Sequence, residues 1–290
     1  MKCMLCDNKK IELFIRTHAG NYLKCDNCGL IQWDNISDMS NIKAIYNDKY
    51  FTEKKRDGTG ADFIGEERLY LARFRDRINR IERHVKSGGH ILDIGASVGQ
   101  FLFVAREHGW KASGIEISGT AAHMAKQRYG IDIQVGTIED ISFKKDFFDV
   151  VTLWHVFEHL PDPKKTLKSI HSILKEGGLL VIELPNIGSQ EAIEAGTGWS
   201  YLRPCEHLYH YTLDTITMLL RNTGFKVETI EYESGGTGIG EMMDRIGIGR
   251  VKRFLIQMFP PAILFKKWIY SLMTAKGSKE IMIVFSTKKG

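Results

Sequence analysis

An α/β fold, a parallel doubly wound sheet preceded by a small cysteine-bearing ribbon, is the class the sequence predicts. Three observations predict it. Short apolar runs alternate with amphipathic helical patterns beyond residue 62, a glycine-rich turn follows the first run, and four cysteines stand in two pairs near the N-terminus. Parallel strands buried on both faces read as nearly continuous apolar runs. That pattern occurs at His90–Ile94, Lys111–Glu116, Ile131–Val135, Phe147–Trp154 and Gly178–Leu184. Helical spacing fills Gly99–His108, Ser118–Tyr129 and Lys164–Lys175. An earlier helix, from Asp62, steps through Leu71, Phe74, Ile78, Ile81 and Val85 and is stopped by Ser87-Gly88-Gly89. Sheets of this kind take ligands at the carboxyl ends of their strands.

The 290 residues are 43% hydrophobic and 26% charged, enough apolar material for a real core, which excludes a mostly disordered chain. The net charge of +5 is unevenly placed. Residues 241–290 hold ten Lys/Arg against three Asp/Glu, so the body before them is close to neutral and is no basic nucleic-acid-binding surface. The start, MKCMLCDNKK, meets charge before any apolar run and does not read as a signal peptide. The apolar stretch Phe254–Phe265 is 12 residues long and broken by Pro260-Pro261, short of the ~20 residues that a membrane-spanning helix needs. A cytoplasmic setting, extending to the inner membrane surface, is therefore expected.

Cys3-x2-Cys6 and Cys25-x2-Cys28 are separated by 18 residues, the spacing of paired thiolate knuckles around one tetrahedral Zn2+. The segments from Glu12 to Thr17 and from Tyr22 to Lys24 resemble the short strands of a zinc ribbon, placing this module at 1–35. So small a unit cannot bury a sufficient core, and bound metal would supply its folding energy. Two disulfides are the alternative. Four thiolates close the coordination sphere, so the metal is expected to be structural. Cys205 stands alone and is expected to be a small buried hydrophobe.

A polar connector at 36–61 leads to the main domain at 62–290. Its first strand runs into Asp93-Ile-Gly95-Ala-Ser97-Val-Gly99, a turn that lets backbone approach a ligand at a helix N-terminus. Ser97 and Gln100 stand where a dinucleotide fingerprint has glycines. The second strand ends at Glu116, 21 residues after Gly95, where a carboxylate can accept hydrogen bonds from both hydroxyls of a ribose.

Together, Ile91-Leu-Asp-Ile-Gly-Ala-Ser-Val-Gly99, Gly114-Ile-Glu116, Phe148-Asp-Val-Val151 and Leu174-Lys-Glu-Gly-Gly178 resemble the class I S-adenosylmethionine-dependent methyltransferases. The resemblance covers about residues 62–233 and a last strand at Glu280–Thr287. It implies a Rossmann-like seven-stranded sheet whose last strand is antiparallel, and S-adenosyl-L-methionine as cofactor. It places Asp93 and Gly95 near the methionine amino and carboxylate groups, with Ser97, where a Gly is common, and Gly99 in the same cofactor-binding turn, Glu116 on the ribose, Thr137 and Ile138 along the adenine and Trp154 at the end of the fourth strand. Thr137 departs from the Asp common there.

Methyl transfer needs in-line alignment and, for a hydroxyl or carbon acid, a proton acceptor. Candidates cluster at His155, Glu158 and His159, which share one face of a helical turn, and in Cys205-Glu206-His207-Leu. Glu206-His207-Leu resembles the base segment of the zinc-containing sugar C-methyltransferases, which implies His207 as first general base and His159 as second. The chain is too short for the large C-terminal domain of that group. His155, Glu158, His159 and His207 also have the ligand types for a divalent ion that holds a diol-like acceptor.

Between the expected sixth and seventh strands lies an insertion at 235–278. Its start, Gly235–Gly240, mimics a phosphate cradle, yet no acid stands between Asp244 and Glu280 to meet a ribose. Residues 250–273 are basic and amphipathic; they fit a lid helix or a peripheral membrane contact. The expected function is methyl transfer to a small or lipid-linked acceptor such as a sugar. The rival readings are an RNA base methyltransferase that grips RNA with its ribbon, and a non-catalytic assembly module. Five Lys/Arg against four Asp/Glu in residues 1–35 speak against nucleic acid.

Overall fold

In the computed structural model, residues 1–36, 63, 65–233 and 279–289 are described. The connector beyond Ile36, the glycine run and the insertion at 235–278 lie outside them, as does the basic segment at 250–273.

The apolar runs form a seven-stranded sheet. In chain order its strands are β4 (His90–Ile94), β5 (Lys111–Glu116), β6 (Gln134–Val135), β7 (Phe148–Trp154), β8 (Leu174–Pro185), β10 (Phe225–Glu233) and β11 (Ile281–Lys288). Their spatial order is β10-β11-β8-β7-β4-β5-β6. Strand β4 pairs in parallel with both β5 and β7, while β11 runs antiparallel between β8 and β10. The Rossmann-like expectation is thus met, including the single reversed strand. Ile91, Leu92, Val150, Val151, Leu180 and Ile182 are buried at its centre, as a sheet covered on both faces requires.

Helices α1 (Glu67–Ile81), α2 (Gln100–Glu107), α3 (Gly119–Tyr129), α4 (Pro163–Ile173), α5 (Gln190–Ala195) and α6 (Leu213–Asn222) complete the domain. Local chemistry sets their starts. Ser118 caps α3 by accepting from the Ala121 amide, and Asp162 caps α4 by accepting from Lys165, with Pro163 in the first turn. Thr212 and Thr215 form a reciprocal cap on α6.

Several boundaries differ from expectation, among them three in the sheet and in α1. Strand β6 keeps only the last two residues of 131–135. Helix α1 ends at Ile81, short of Val85. Strand β8 starts at Leu174, because Leu174 pairs with Phe148 and a register shift takes up the intervening glycines.

The cysteine module forms a second sheet from β1 (Ile11–Arg16), β2 (Asn21–Cys25) and β3 (Ile31–Trp33). Its fourth strand, β9 (Tyr209–His210), comes from the main domain and pairs antiparallel with β3. Trp33 donates to the Leu208 carbonyl at 2.8 Å. The buried Tyr22 hydroxyl shares its hydrogen between the carbonyls of His207 at 2.9 Å and Arg203 at 3.1 Å. Module and main domain therefore share one core. Cys205 corrects the expectation of burial: it is exposed, at a positive φ of 70°, on the loop that leads into β9. Among the described residues, no helix is long and apolar enough to cross a membrane.

Candidate active site

The turn between β4 and α2 is shaped by what cannot fit there. Gly95 has φ +74°, and a Cβ on it would stand 2.4 Å from Val156 Cγ2. Gly95→Ala is expected to cost about 2 kcal/mol of stability, read as a fall in the urea midpoint. Gly99, at φ +82°, begins α2, and its hydrogen faces Ala125 of α3 where a Cβ would come within 2.9 Å. Ser97 also takes a positive φ, and its amide donates to Glu116 Oε2 at 2.8 Å. The Ser118 amide donates to Glu116 Oε1 at 2.9 Å. Two backbone donors thus fix the carboxylate at the end of β5, with lone pairs left for a ligand.

A cavity of about 700 Å³ opens along these strand ends. At one end it is lined by Gly95, Ser97, Glu116, Thr137 and Ile138; at the other by His155, Glu158, His159 and His207, with Trp154 between. The structure therefore brings together ten of the twelve residues expected for cofactor and catalysis. Asp93 and Gly99 do not line it. Asp93 is buried behind the turn and accepts from the Thr152 hydroxyl at 2.7 Å, and burial, with the Glu116 charge, holds its carboxyl well above the usual range. Burial also raises Glu116, against its backbone donors. Thr137 donates through its hydroxyl to Asp140, which itself lines the cavity and so supplies a carboxylate near the position where Thr137 departs from the family pattern.

The histidines occupy three different environments. Phe157–His159 form one 3-10 turn, and His155 precedes it at φ +53°. The His155 ring lies between two buried carboxylates, Nδ1 3.3 Å from Glu158 and Nε2 3.1 Å from Glu183. Burial pulls its pKa down, but hydrogen bonds and charge from those two acids outweigh that and raise it to about 9. It is a held imidazolium at neutral pH, with both nitrogens donating. Burial, by contrast, lowers His159 and His207, which keeps both imidazoles neutral. His159 Nδ1 faces the Glu206 carbonyl at 2.8 Å, so its proton sits there and Nε2 carries the lone pair.

Sequence reasoning missed a second group of lining residues. Tyr70, Arg73 and Arg77 of α1, Glu183 of β8, and Tyr201 and Arg203 line the cavity. Arg77 bonds Glu183 at 2.7 Å and takes Glu233 bidentately at 2.7 and 3.1 Å. One signal was visible: Glu183 is an acid inside the apolar run Leu179–Leu184.

The four cysteine sulfurs lie within 4.8 Å of one another, with Cys3–Cys28 at 3.4 Å and Cys6–Cys25 at 3.6 Å. A disulfide needs about 2.05 Å, and all four are free thiols, so the disulfide alternative fails. Bonds of ~2.3 Å to a tetrahedral centre set sulfurs ~3.8 Å apart, which this cluster fits.

A family model described as a methyltransferase domain matches residues 66–230, more than half of the chain, from α1 into β10. The chain belongs to that family. It is a methyltransferase-domain chain whose fold is that of S-adenosylmethionine-dependent methyltransferases. The ubiquinone biosynthesis O-methyltransferase of Coxiella burnetii is 29% identical to it over 116 residues, 38% of this chain and 50% of that protein. The enzyme of the same name from Azotobacter vinelandii is 27% identical over 133 residues, 43% and 57% of the two chains. The methyltransferase thus spans about half the length of the curated relatives it matches. Among solved structures, a SAM-dependent methyltransferase from Archaeoglobus fulgidus superposes with TM-score 0.53 at 20% identity, covering 78% of this chain and 99% of its own. A Haemonchus contortus phosphoethanolamine N-methyltransferase, solved with phosphomonomethylethanolamine and S-adenosylhomocysteine, gives TM-score 0.50 at 22% identity, covering 74% and 52%. These two likenesses concern the fold.

Proposed function

We propose that this methyltransferase methylates a hydroxyl of a small polyhydroxylated acceptor, a sugar in free, nucleotide-linked or lipid-linked form, and that its four-cysteine cluster holds a structural zinc. The observation that carries this reading is the continuity of one cavity from Glu116 to His207. S-adenosylmethionine brings an already activated methyl group on a cationic sulfur, so the protein's task is alignment and removal of the acceptor proton. The Glu116 carboxylate accepts from the ribose hydroxyls, with Thr137 and Ile138 beside the adenine. Gly95 leaves room for the amino-acid end, and Asp93 braces the turn from behind together with Gly99.

The acceptor enters at the polar end. There the Glu158–His159–His207 group receives its proton as the oxygen–methyl bond forms and the sulfur keeps the electron pair of the broken carbon–sulfur bond. The charged His155 is no base; it orients Glu158. Tyr201 and Arg203 offer hydrogen-bonding surface to a hydroxyl-rich acceptor. Methylation at oxygen is supported by the relatives from Coxiella and Azotobacter, both named O-methyltransferases.

Calorimetry with S-adenosylhomocysteine tests the cofactor half. Glu116→Gln loses charged acceptance from the ribose and turns an amide N–H2 against a backbone donor, so affinity is expected to fall about 100-fold. Unchanged affinity would sink the assignment. For the acceptor half, turnover of methyl-labelled cofactor with a panel of sugars should yield labelled methyl ethers. Label appearing only on nitrogen or carbon would overturn the hydroxyl reading.

A further inference from the structure

We propose that Glu158, His159 and His207 form a divalent-metal site at the acceptor end of the cavity, separate from the cysteine cluster; its catalytic use rests on the acceptor-end reading above. One donor atom from each of the three lies within 4.8 Å of the others. Bonds of ~2.0–2.2 Å to a shared ion set such donors roughly 3–4 Å apart, so a contraction of at most about 1–2 Å closes the site. The two imidazole rings stand nearly perpendicular, with centroids 4.6 Å apart.

Two further observations point to a missing ligand. Glu158 is 1% exposed and its Oε2 has no hydrogen-bond partner; His207 is 2% exposed and its Nδ1 has none either. A buried carboxylate oxygen and a buried ring nitrogen facing the same cavity without partners are costly to leave so. The surrounding bonds, moreover, are those that metal ligands carry. The Nδ1 proton of His159 is held by the Glu206 carbonyl, and Glu158 Oε1 is held by His155.

Two imidazoles and one carboxylate select a borderline cation such as Zn2+, Co2+ or Mn2+ and leave coordination positions open. Two neighbouring hydroxyl oxygens of a sugar-like acceptor suit those positions. With the ion bound, the three side chains would act as its ligands in place of the direct proton acceptance proposed above, and a coordinated hydroxyl would lose its proton to solvent more readily, so the ion would generate the attacking oxygen. His155, one of the four ligands considered from sequence, falls outside the set because both its nitrogens already face carboxylates.

Mn2+ is the discriminating probe, because it prefers oxygen and nitrogen donors and avoids the four thiols. Titration of the purified full chain with Mn2+, followed by electron paramagnetic resonance and calorimetry, is expected to show one bound ion per chain. Glu158→Gln and His207→Asn should each weaken it at least about 100-fold, since even indirect partners of a metal cost 10–100-fold. Asp132→Asn, an exposed surface acid, should leave it unchanged. S-adenosylhomocysteine binding by each variant certifies its fold, and His159→Gln replaces any variant that loses it. Wild-type protein that binds S-adenosylhomocysteine but no Mn2+ overturns the metal site and leaves the methyltransferase reading intact, as does a Glu158→Gln variant that keeps full Mn2+ affinity. Protein that binds Mn2+ in the Glu158-dependent way but no S-adenosylhomocysteine retains the site and overturns the cofactor assignment instead.

Discussion

Cys25→Ser is expected to release at least one zinc per chain and to open the ribbon together with one wall of the active site. Structural zinc in small modules contributes about 10–16 kcal/mol of apparent binding energy at neutral pH, and a module of this size has little core to replace it. The damage should spread because the ribbon sheet is completed by β9. Tyr22 holds the His207 and Arg203 carbonyls, Trp33 holds Leu208, and the Leu208 amide in turn donates to the Glu158 carbonyl at 2.8 Å. That chain of bonds runs from the cysteine module to the acceptor end. The Glu116 carboxylate is held instead by the amides of Ser97 and Ser118, and its strand β5 belongs to the other sheet. Metal analysis should therefore show the lost zinc, and hydrogen exchange should accelerate at 203–210 while S-adenosylhomocysteine affinity stays nearly constant. Protection at 203–210 that survives zinc loss would refute the coupling; a full zinc complement in the variant would refute the zinc itself.

That coupling was hidden from the sequence for a physical reason. Tyr22 and His207 are 185 residues apart, and the strand that joins the two units is two residues long, too short for any alternation to reveal. The cofactor end was legible because its requirements are local: a strand, a turn needing positive φ at Gly95, a helix, and a carboxylate at the end of the next strand. Spacing likewise marked the cysteine cluster, since four thiols around one centre constrain sequence separation directly. His155 shows where local pattern misleads. A helical face groups it with Glu158 and His159, yet its ring is captured by Glu183, which arrives from β8 and which no spacing rule connects to it. Arg77 escaped notice similarly: it sits beside the apolar stripe of α1, and its partners come from two strands more than a hundred residues away.

Arg77→Met is expected to cost about 3–5 kcal/mol, the penalty of removing one partner of a buried ion pair. Arg77 and Glu183 are each 2% exposed, so water cannot replace the lost guanidinium. Glu183 would keep His155 as its hydrogen-bonded partner and the weaker charge of Arg73, while Glu233, at 18% side-chain exposure, can turn toward solvent and toward Arg80, already 2.5 Å away. The methionine keeps most of the apolar stem, which separates lost charge from lost packing. Urea unfolding gives the magnitude, and the double variant Arg77→Met/Glu183→Gln gives the cause. With the stranded carboxylate removed, the double variant should be less destabilised than the sum of the singles by at least about 1 kcal/mol. Additive losses would mean that packing, not the buried charge, is what Arg77 contributes. A coupled result would instead identify the α1–β8 ion pair as the brace that holds His155, and through it Glu158, at the acceptor end of the cavity.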